Sequence, residues 1–334
     1  MNPHFPDVRT LEVHPITRRN PHLIRPSSSG PEQRNEERNE LGLPLLLEAV
    51  GDAADLGYNF LSVAGEDPLL YTGLQALCCE AHRRGVLTSI TVHPAACALS
   101  QLDWLRHSID LLGFAIDART VRPPRGRRAS RVAQATGQQL ERVRRSGMQF
   151  AIIFTLTAES LSHLEWAAEF ASDRGAAMLQ VRLTPGLTDE QISTAWMIAE
   201  CLRELHRGRL VVHLDAMSRY NLPLEPADLS SWRKDVEREA RYLGEIVSPL
   251  VIEDTGAVAP MRFGFPRRFA FGNVLGERLR TMAERWIETR AADFCTAYGA
   301  ALEKARTGDR TFGDLYEMLS TEAGSAPLGM SAVG

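Results

Sequence analysis

The chain has 334 residues, 44% hydrophobic and 24% charged, a globular composition with room for an α/β barrel plus an appendage, or for two domains. A net charge of −4 gives no basis for wholesale nucleic-acid or anionic-membrane binding. No apolar run approaches the ~20 residues that span a bilayer, and MNPHFPDVRT lacks the order of a signal peptide, so a cytoplasmic location is expected.

From Leu11 to about Asp215 short β-rich apolar runs alternate with helical patterns. The strands are expected at Leu11 to Ile16, Phe60 to Val63, Leu87 to Val92, Leu111 to Asp117, Phe150 to Leu156, Met178 to Leu183 and Leu210 to Leu214. Apolar residues at i, i+3 and i+4 place helices over Leu45 to Leu56, Leu74 to Arg84, Ala133 to Arg145, Leu161 to Ala171 and Ile192 to Leu205. Gly57, Gly85, Gly147 and Gly175 each follow a helical pattern and precede a strand, as helix-stopping residues do. This alternation argues for right-handed βαβ units and a parallel sheet, in a partial or full β/α barrel.

Two stretches read as irregular. Ser27 to Asn39 is a polar loop after the first strand, and Thr120 to Arg131 carries five arginines and no acid. The second is either an exposed loop between barrel units or a clamp for a carboxylate or phosphate. Beyond Leu222 a helical stretch (Leu229 to Leu243) leads to Pro249 to Pro260, which reads as a hairpin turning near Gly256. Two helices are expected between Arg278 and Arg306, then a small-residue tail. The domain division is therefore a barrel over 1–220, a small α+β extension over 221–322 and a disordered tail over 323–334. The five cysteines (Cys78, Cys79, Cys97, Cys201 and Cys295) form no disulfide framework and no CxxC metal pattern.

TLEVHPITRRNP followed by SSSGP (Thr10 to Pro31) resembles the first strand and cluster loop of radical SAM enzymes that modify peptides or other natural products. LSVAGEDPLLY (Leu61 to Tyr71) is similar to their second-strand motif, and LTSITVHP (Leu87 to Pro94) and LLGFAIDA (Leu111 to Ala118) resemble the third and fourth strands. SPLVIEDTGAVAPMRFGF (Ser248 to Phe265) resembles the start of the small SPASM or twitch domain that many of them append. The resemblance implies a barrel built around a four-iron cluster and S-adenosylmethionine.

The departures are as specific as the match. Where the family's CxxxCxxC motif stands, this chain carries Arg19, Leu23 and Pro26, and none can ligate iron. The family's Gly-Gly-Glu-Pro is Gly65, Glu66, Asp67 and Pro68 here, and its Asn-Gly after the third strand is His93 and Pro94. The expectation is a member without a [4Fe-4S] cluster, in which S-adenosylmethionine binding is weakened and left open.

In β/α barrels the working groups follow the C-terminal ends of the strands. Here these are His14, Glu66, Asp67, Thr91, His93, Asp117, Thr155, Arg182, His213 and Asp215, among others. His93, Asp67, Asp117 and His213 are the acid-base candidates, of ligand types that would equally suit a divalent metal, although a strand-end histidine also serves as hydrogen-bonded structure. By the resemblance Gly65, Glu66, Asp67, Asp117 and Arg182 are candidates for holding the cofactor or a ligand. Arg182 would grip a carboxylate or else pair with Asp117 or Asp215, and Asp117 would bind a ribose hydroxyl or end a strand. Three functions stay open: a repurposed small-molecule or peptide-binding barrel, alone or partnering an active radical SAM relative; cluster-free acid-base or metal-assisted catalysis; and non-radical use of S-adenosylmethionine.

Overall fold

The computed structural model describes residues 8–16, 40–65, 67–93, 99–116, 127–184, 186–218, 234, 238–308, 312–313 and 315–325. Seven strands carry the barrel: β1 (Thr10–Val13), β2 (Phe60–Val63), β3 (Leu87–Val92), β4 (Leu111–Ile116), β5 (Phe150–Leu156), β6 (Met178–Leu183) and β7 (Val211–Leu214). Helices α1 (Leu43–Asp55), α2 (Leu74–Arg83), α3 (Leu99–Ser108), α4 (Arg127–Arg145), α5 (Leu164–Asp173) and α6 (Asp189–Leu205) connect them in turn. All seven strands run parallel in sequence order. A two-residue strand β8 (Met217–Ser218) pairs far along the chain with β12 (Phe312–Gly313).

The C-terminal region joins the same sheet. After α7 (Leu243–Ile246), β9 (Leu250–Ile252) lies parallel to β1, and β10 (Ala257–Pro260) and β11 (Gly272–Asn273) follow antiparallel. The ten-stranded sheet runs β11-β10-β9-β1-β2-β3-β4-β5-β6-β7, and no pairing joins β7 to β11 among the described residues. Of the expected partial or full barrel, the structure is the partial one. Helices α8 (Leu279–Thr289), α9 (Ala291–Thr307) and α10 (Leu315–Ser325) complete the chain.

The two faces of the sheet differ. Leu11, Val13, Leu61, Val63, Ile90, Val92, Leu112, Phe114, Ile152, Phe154, Leu179, Val181, Val212 and Leu214 alternate onto one face and are all fully buried in the hydrophobic core. Burying each of the larger ones contributes roughly 1.5–3 kcal/mol. Thr88 is the polar exception at the N-terminal end of β3. Its hydroxyl donates to Ser108 O (3.2 Å), and its N–H donates to Asp110 Oδ2 (2.7 Å), which also lies 2.9 Å from His82 Nε2. That cluster sits at the sheet end where conserved roles are structural in such barrels.

Several local expectations are met and others corrected. The four helix-stopping glycines, Gly57, Gly85, Gly147 and Gly175, all have positive φ. A Cβ at Gly57 would lie 2.0 Å from Arg241 O, so the close approach of the C-terminal region also requires glycine there. The arginine stretch is not wholly a loop: Arg127 to Arg131 form the first turns of α4, and 120–126 lie outside the described residues. Helices α3 and α10 were not anticipated, although Leu99, Leu102 and Leu105 in the one and Leu315, Met318 and Leu319 in the other keep a helical spacing. Of the stretch from Leu229 to Leu243, most lies outside the described residues, as do Ser27 to Asn39 and 326–334.

Candidate functional site

The second face of the sheet is polar and half-open. Strand register aligns Glu12, Ser62 and Ser89 across β1, β2 and β3, and sets Thr91 beside Gly113 on β4. Gly113 neighbours Ala151, Ala115 neighbours Ile153, and Gln180 lies between Ile153 and His213. Thr155 neighbours Arg182. Glu12, Ser62, Thr91, Ala115, Thr155, Gln180 and His213 are half-buried and Arg182 is exposed. The middle is a low floor: a Cβ at Gly113 would meet Ile153 Cδ1 at 2.9 Å and Thr91 Oγ1 at 3.0 Å. Polar side chains thus flank a shallow centre, an arrangement suited to holding a ligand by its polar ends.

At the β1 side, His14 Nε2 lies 2.6 Å from Glu12 Oε1, and the His14 N–H donates to Ile252 O at 2.9 Å. The Phe263 ring packs on the imidazole, centroids 4.9 Å apart. Phe263 is held by a buried carboxylate: Glu253, 1% exposed, accepts from Gly264 N (2.9 Å) and Arg267 Nη2 (2.6 Å). Burial of a carboxylate is tolerated when it is hydrogen-bonded in this way. Gly65 follows β2 with φ +114°, and a Cβ there would stand 3.6 Å from His14 Nδ1.

At the β7 side, His213 Nδ1 lies 3.2 Å from Asp215 Oδ1, and Gln180 Nε2 reaches both Asp215 oxygens at 3.4–3.5 Å. The alternative pairing of Arg182 with Asp215 is not made; that carboxylate is met by His213 and Gln180. The Arg182 side chain makes no ion pair or hydrogen bond among the described residues. His93 follows β3, half-buried, and continues the alternation that puts Thr91 on the polar face. Asp67 is buried, 2% exposed, and its carbonyl accepts from Leu70 N at 3.1 Å. Glu66, Asp117 and the loop with Arg19, Leu23 and Pro26 lie outside the described residues. His93 and Asp67 end adjacent strand-loop units, whereas His213 stands four strands further along the sheet.

Sequence reasoning missed Glu12. The signal was available: it is a carboxylate inside a buried parallel strand, two residues before His14 and so on the same face. The four described cysteines all lie on helices, Cys78 and Cys79 on α2, Cys201 on α6 and Cys295 on α9. Among the described residues no three His, Cys, Asp or Glu side chains converge as a metal site, and no helix is long and apolar enough to cross a membrane.

No protein-family model matches the chain, and no curated protein sequence does. Solved structures do. SuiB of Streptococcus suis bound to S-adenosylmethionine superposes with a TM-score of 0.60 at 12% identity, covering 85% of this chain and 66% of SuiB. SuiB bound to the precursor peptide SuiA gives 0.58 at 11% identity, covering 86% of this chain and 66% of SuiB. The anSMEcpe structure with bound S-adenosylmethionine gives 0.55 at 13% identity over 94% of this chain and 95% of that one. The chain thus spans just under two thirds of SuiB and nearly all of anSMEcpe. At these identities the likeness establishes architecture, and that architecture is the partial-barrel fold of the radical SAM enzymes.

Proposed function

We infer that this chain is a radical SAM-type barrel that has lost its iron-sulfur cluster and is kept as a small-molecule or peptide-binding barrel in a natural-product or peptide-modification pathway. The observation that carries the binding role is the polar inner face, with a floor of Gly113, Ala115 and Ala151 between Glu12 and His14 at one side and Arg182 and His213 at the other. Cluster loss is supported by the donor set. Three thiolates are needed, and Arg19, Leu23 and Pro26 supply none. The residues present do not fit that group, and no step here passes through it.

In this reading Gly65, Glu66 and Asp67 line the amino end of a bound ligand and Asp117 takes a hydroxyl. Arg182, an exposed cation with no ion pair among the described residues, takes a carboxylate. A peptide is a fitting occupant: Arg182 and His14 lie five strands apart, an arc of about 24 Å at ordinary strand spacing. SuiB and anSMEcpe have both been solved with peptides bound. A second reading, cluster-free acid-base or metal-assisted chemistry by His93, Asp67, Asp117 and His213, is favoured by the His213–Asp215 contact, which orients an imidazole on that face.

Anaerobic reconstitution with iron and sulfide tests the proposal. The expected result is no cluster absorbance and no cleavage of S-adenosylmethionine, with thermal stabilisation by peptides. A formed cluster that cleaves S-adenosylmethionine overturns it. One tightly bound equivalent of zinc or manganese would move the weight to the second reading.

A further inference from the structure

The β1 corner of the inner face specifies the kind of group it can receive. The His14 side chain is 15% exposed and Glu12 21%, with Nε2 2.6 Å from Oε1. An ionised carboxylate only accepts hydrogen bonds, so beside it a neutral imidazole would carry its proton on Nε2 and keep a lone pair on Nδ1. Nδ1 has no hydrogen-bond partner among the described residues. It faces Gly65, where a Cβ would lie at 3.6 Å and where φ +114° disfavours any side chain, so position 65 itself places no side chain beside the lone pair. The Phe263 ring packs at a tilt against the imidazole, centroids 4.9 Å apart.

We propose that Glu12 and His14 form a proton-accepting dyad, with Nδ1 directed at a hydroxyl, thiol or ammonium group of a ligand lying over Gly65. In the transfer the donor's X–H bond breaks and its electron pair stays on X. An N–H bond forms at Nδ1, and the Glu12 carboxylate offsets the charge of the resulting imidazolium. An ionised carboxylate brings no proton to that lone pair, and carboxylate and phosphate anions alike are repelled by Glu12, so anions belong at the Arg182 side. The dyad rests on the inner face being a ligand site, but it requires neither iron nor S-adenosylmethionine.

The test is nitrogen NMR of the histidine rings in the full-length protein at about pH 8.5, above the ordinary imidazole range. His14→Asn removes one ring's signals and assigns them. The expected result is a protonated Nε2 and an unprotonated Nδ1 for His14, both moving toward mixed-tautomer positions in Glu12→Ala. If Glu12→Ala does not fold, Glu12→Gln is used, and the same movement in part is expected. Methylammonium chloride shifts the Nδ1 signal, and sodium acetate at equal ionic strength does not. A protonated Nδ1, an unchanged ring in the Glu12 variant, or any probe response other than methylammonium alone overturns the dyad. The outcome is separable from the parent reading: cluster formation on reconstitution overturns cluster loss without touching the tautomer, and a wrong tautomer sinks the dyad with reconstitution unchanged.

Discussion

Cys78 and Cys79 are adjacent in sequence and opposite in chemistry. Cys78 faces the core from α2, fully buried, and burial pushes its thiol up to about 12, with smaller contributions from Cys79 and Asp110. Cys79 points to solvent from the same turn, and Cys201 does so from α6. The thiolate is the reactive species, and at pH 8 a thiol with that pKa is ionised to only about one part in ten thousand. Labelling of the native protein with Ellman's reagent is therefore expected to modify Cys79 and Cys201 within minutes and to spare Cys78 until denaturant is added, as read by peptide mass mapping. Prompt modification of native Cys78 would contradict the packing of α2 against the sheet. The residue scale also shows where sequence reading stops. That the described cysteines behave as scattered thiols was legible from their spacing, and His14 was legible as a strand-end group. The partner of its ring was not, because Phe263 reaches it from the far end of the chain through a loop that the buried Glu253 shapes.

At the scale of elements, the most legible feature was the period of the barrel strands, since parallel strands buried beneath helices must read as apolar runs. The least legible was what one helix does for another. Asp52 stands near the C-terminal end of α1, where a negative charge opposes the helix dipole. Its function is tertiary. Helix α8 begins at Arg278 without a side-chain cap of its own, and Asp52, 2% exposed, accepts from Arg280 N at 3.1 Å and from Arg278 Nη2 at 2.6 Å. A carboxylate borrowed from α1 thus caps α8 and ties the C-terminal region to the barrel. Asp52→Ala is expected to cost about 1–3 kcal/mol in urea unfolding, from the lost cap and the donors left unpaired. Asp52→Asn, whose amide oxygen can still accept from Arg280 N, is expected to restore part of that loss. Equal destabilisation by the two variants would mean that the charge, and not the cap, is what matters.

For the molecule as a whole, the question is whether the C-terminal region is an independent appendage or part of the barrel. The hairpin was readable from PLVIEDTGAVAP, but its docking place was not: the Leu11↔Leu250 register is a non-local pairing that no local pattern encodes. Many connections join the two parts, among them three that are backbone or buried ones. β9 lies in the sheet beside β1, Tyr58 donates its hydroxyl to Val247 O at 2.8 Å, and Asp52 caps α8. Behind β10 and β11 the C-terminal core is aromatic, with Trp286 stacked on Phe271 at 4.5 Å and Phe294 set edge-on to Phe269 at 5.4 Å. Removing the Phe294 ring should cost about 3–5 kcal/mol. Because the same sheet runs through both parts, that loss is expected to lower one common transition rather than to melt the C-terminal region alone. Far-UV circular dichroism and tryptophan fluorescence should therefore give coincident thermal curves in the wild type and, shifted down by several degrees, in Phe294→Ala. Two separated transitions, with the barrel's midpoint unmoved, would show an independent appendage. The distinction bears on function, since Phe263 and Glu253 belong to the C-terminal part yet shape the corner around His14. In a single cooperative unit, any weakening of the aromatic core also loosens the inner face of the barrel.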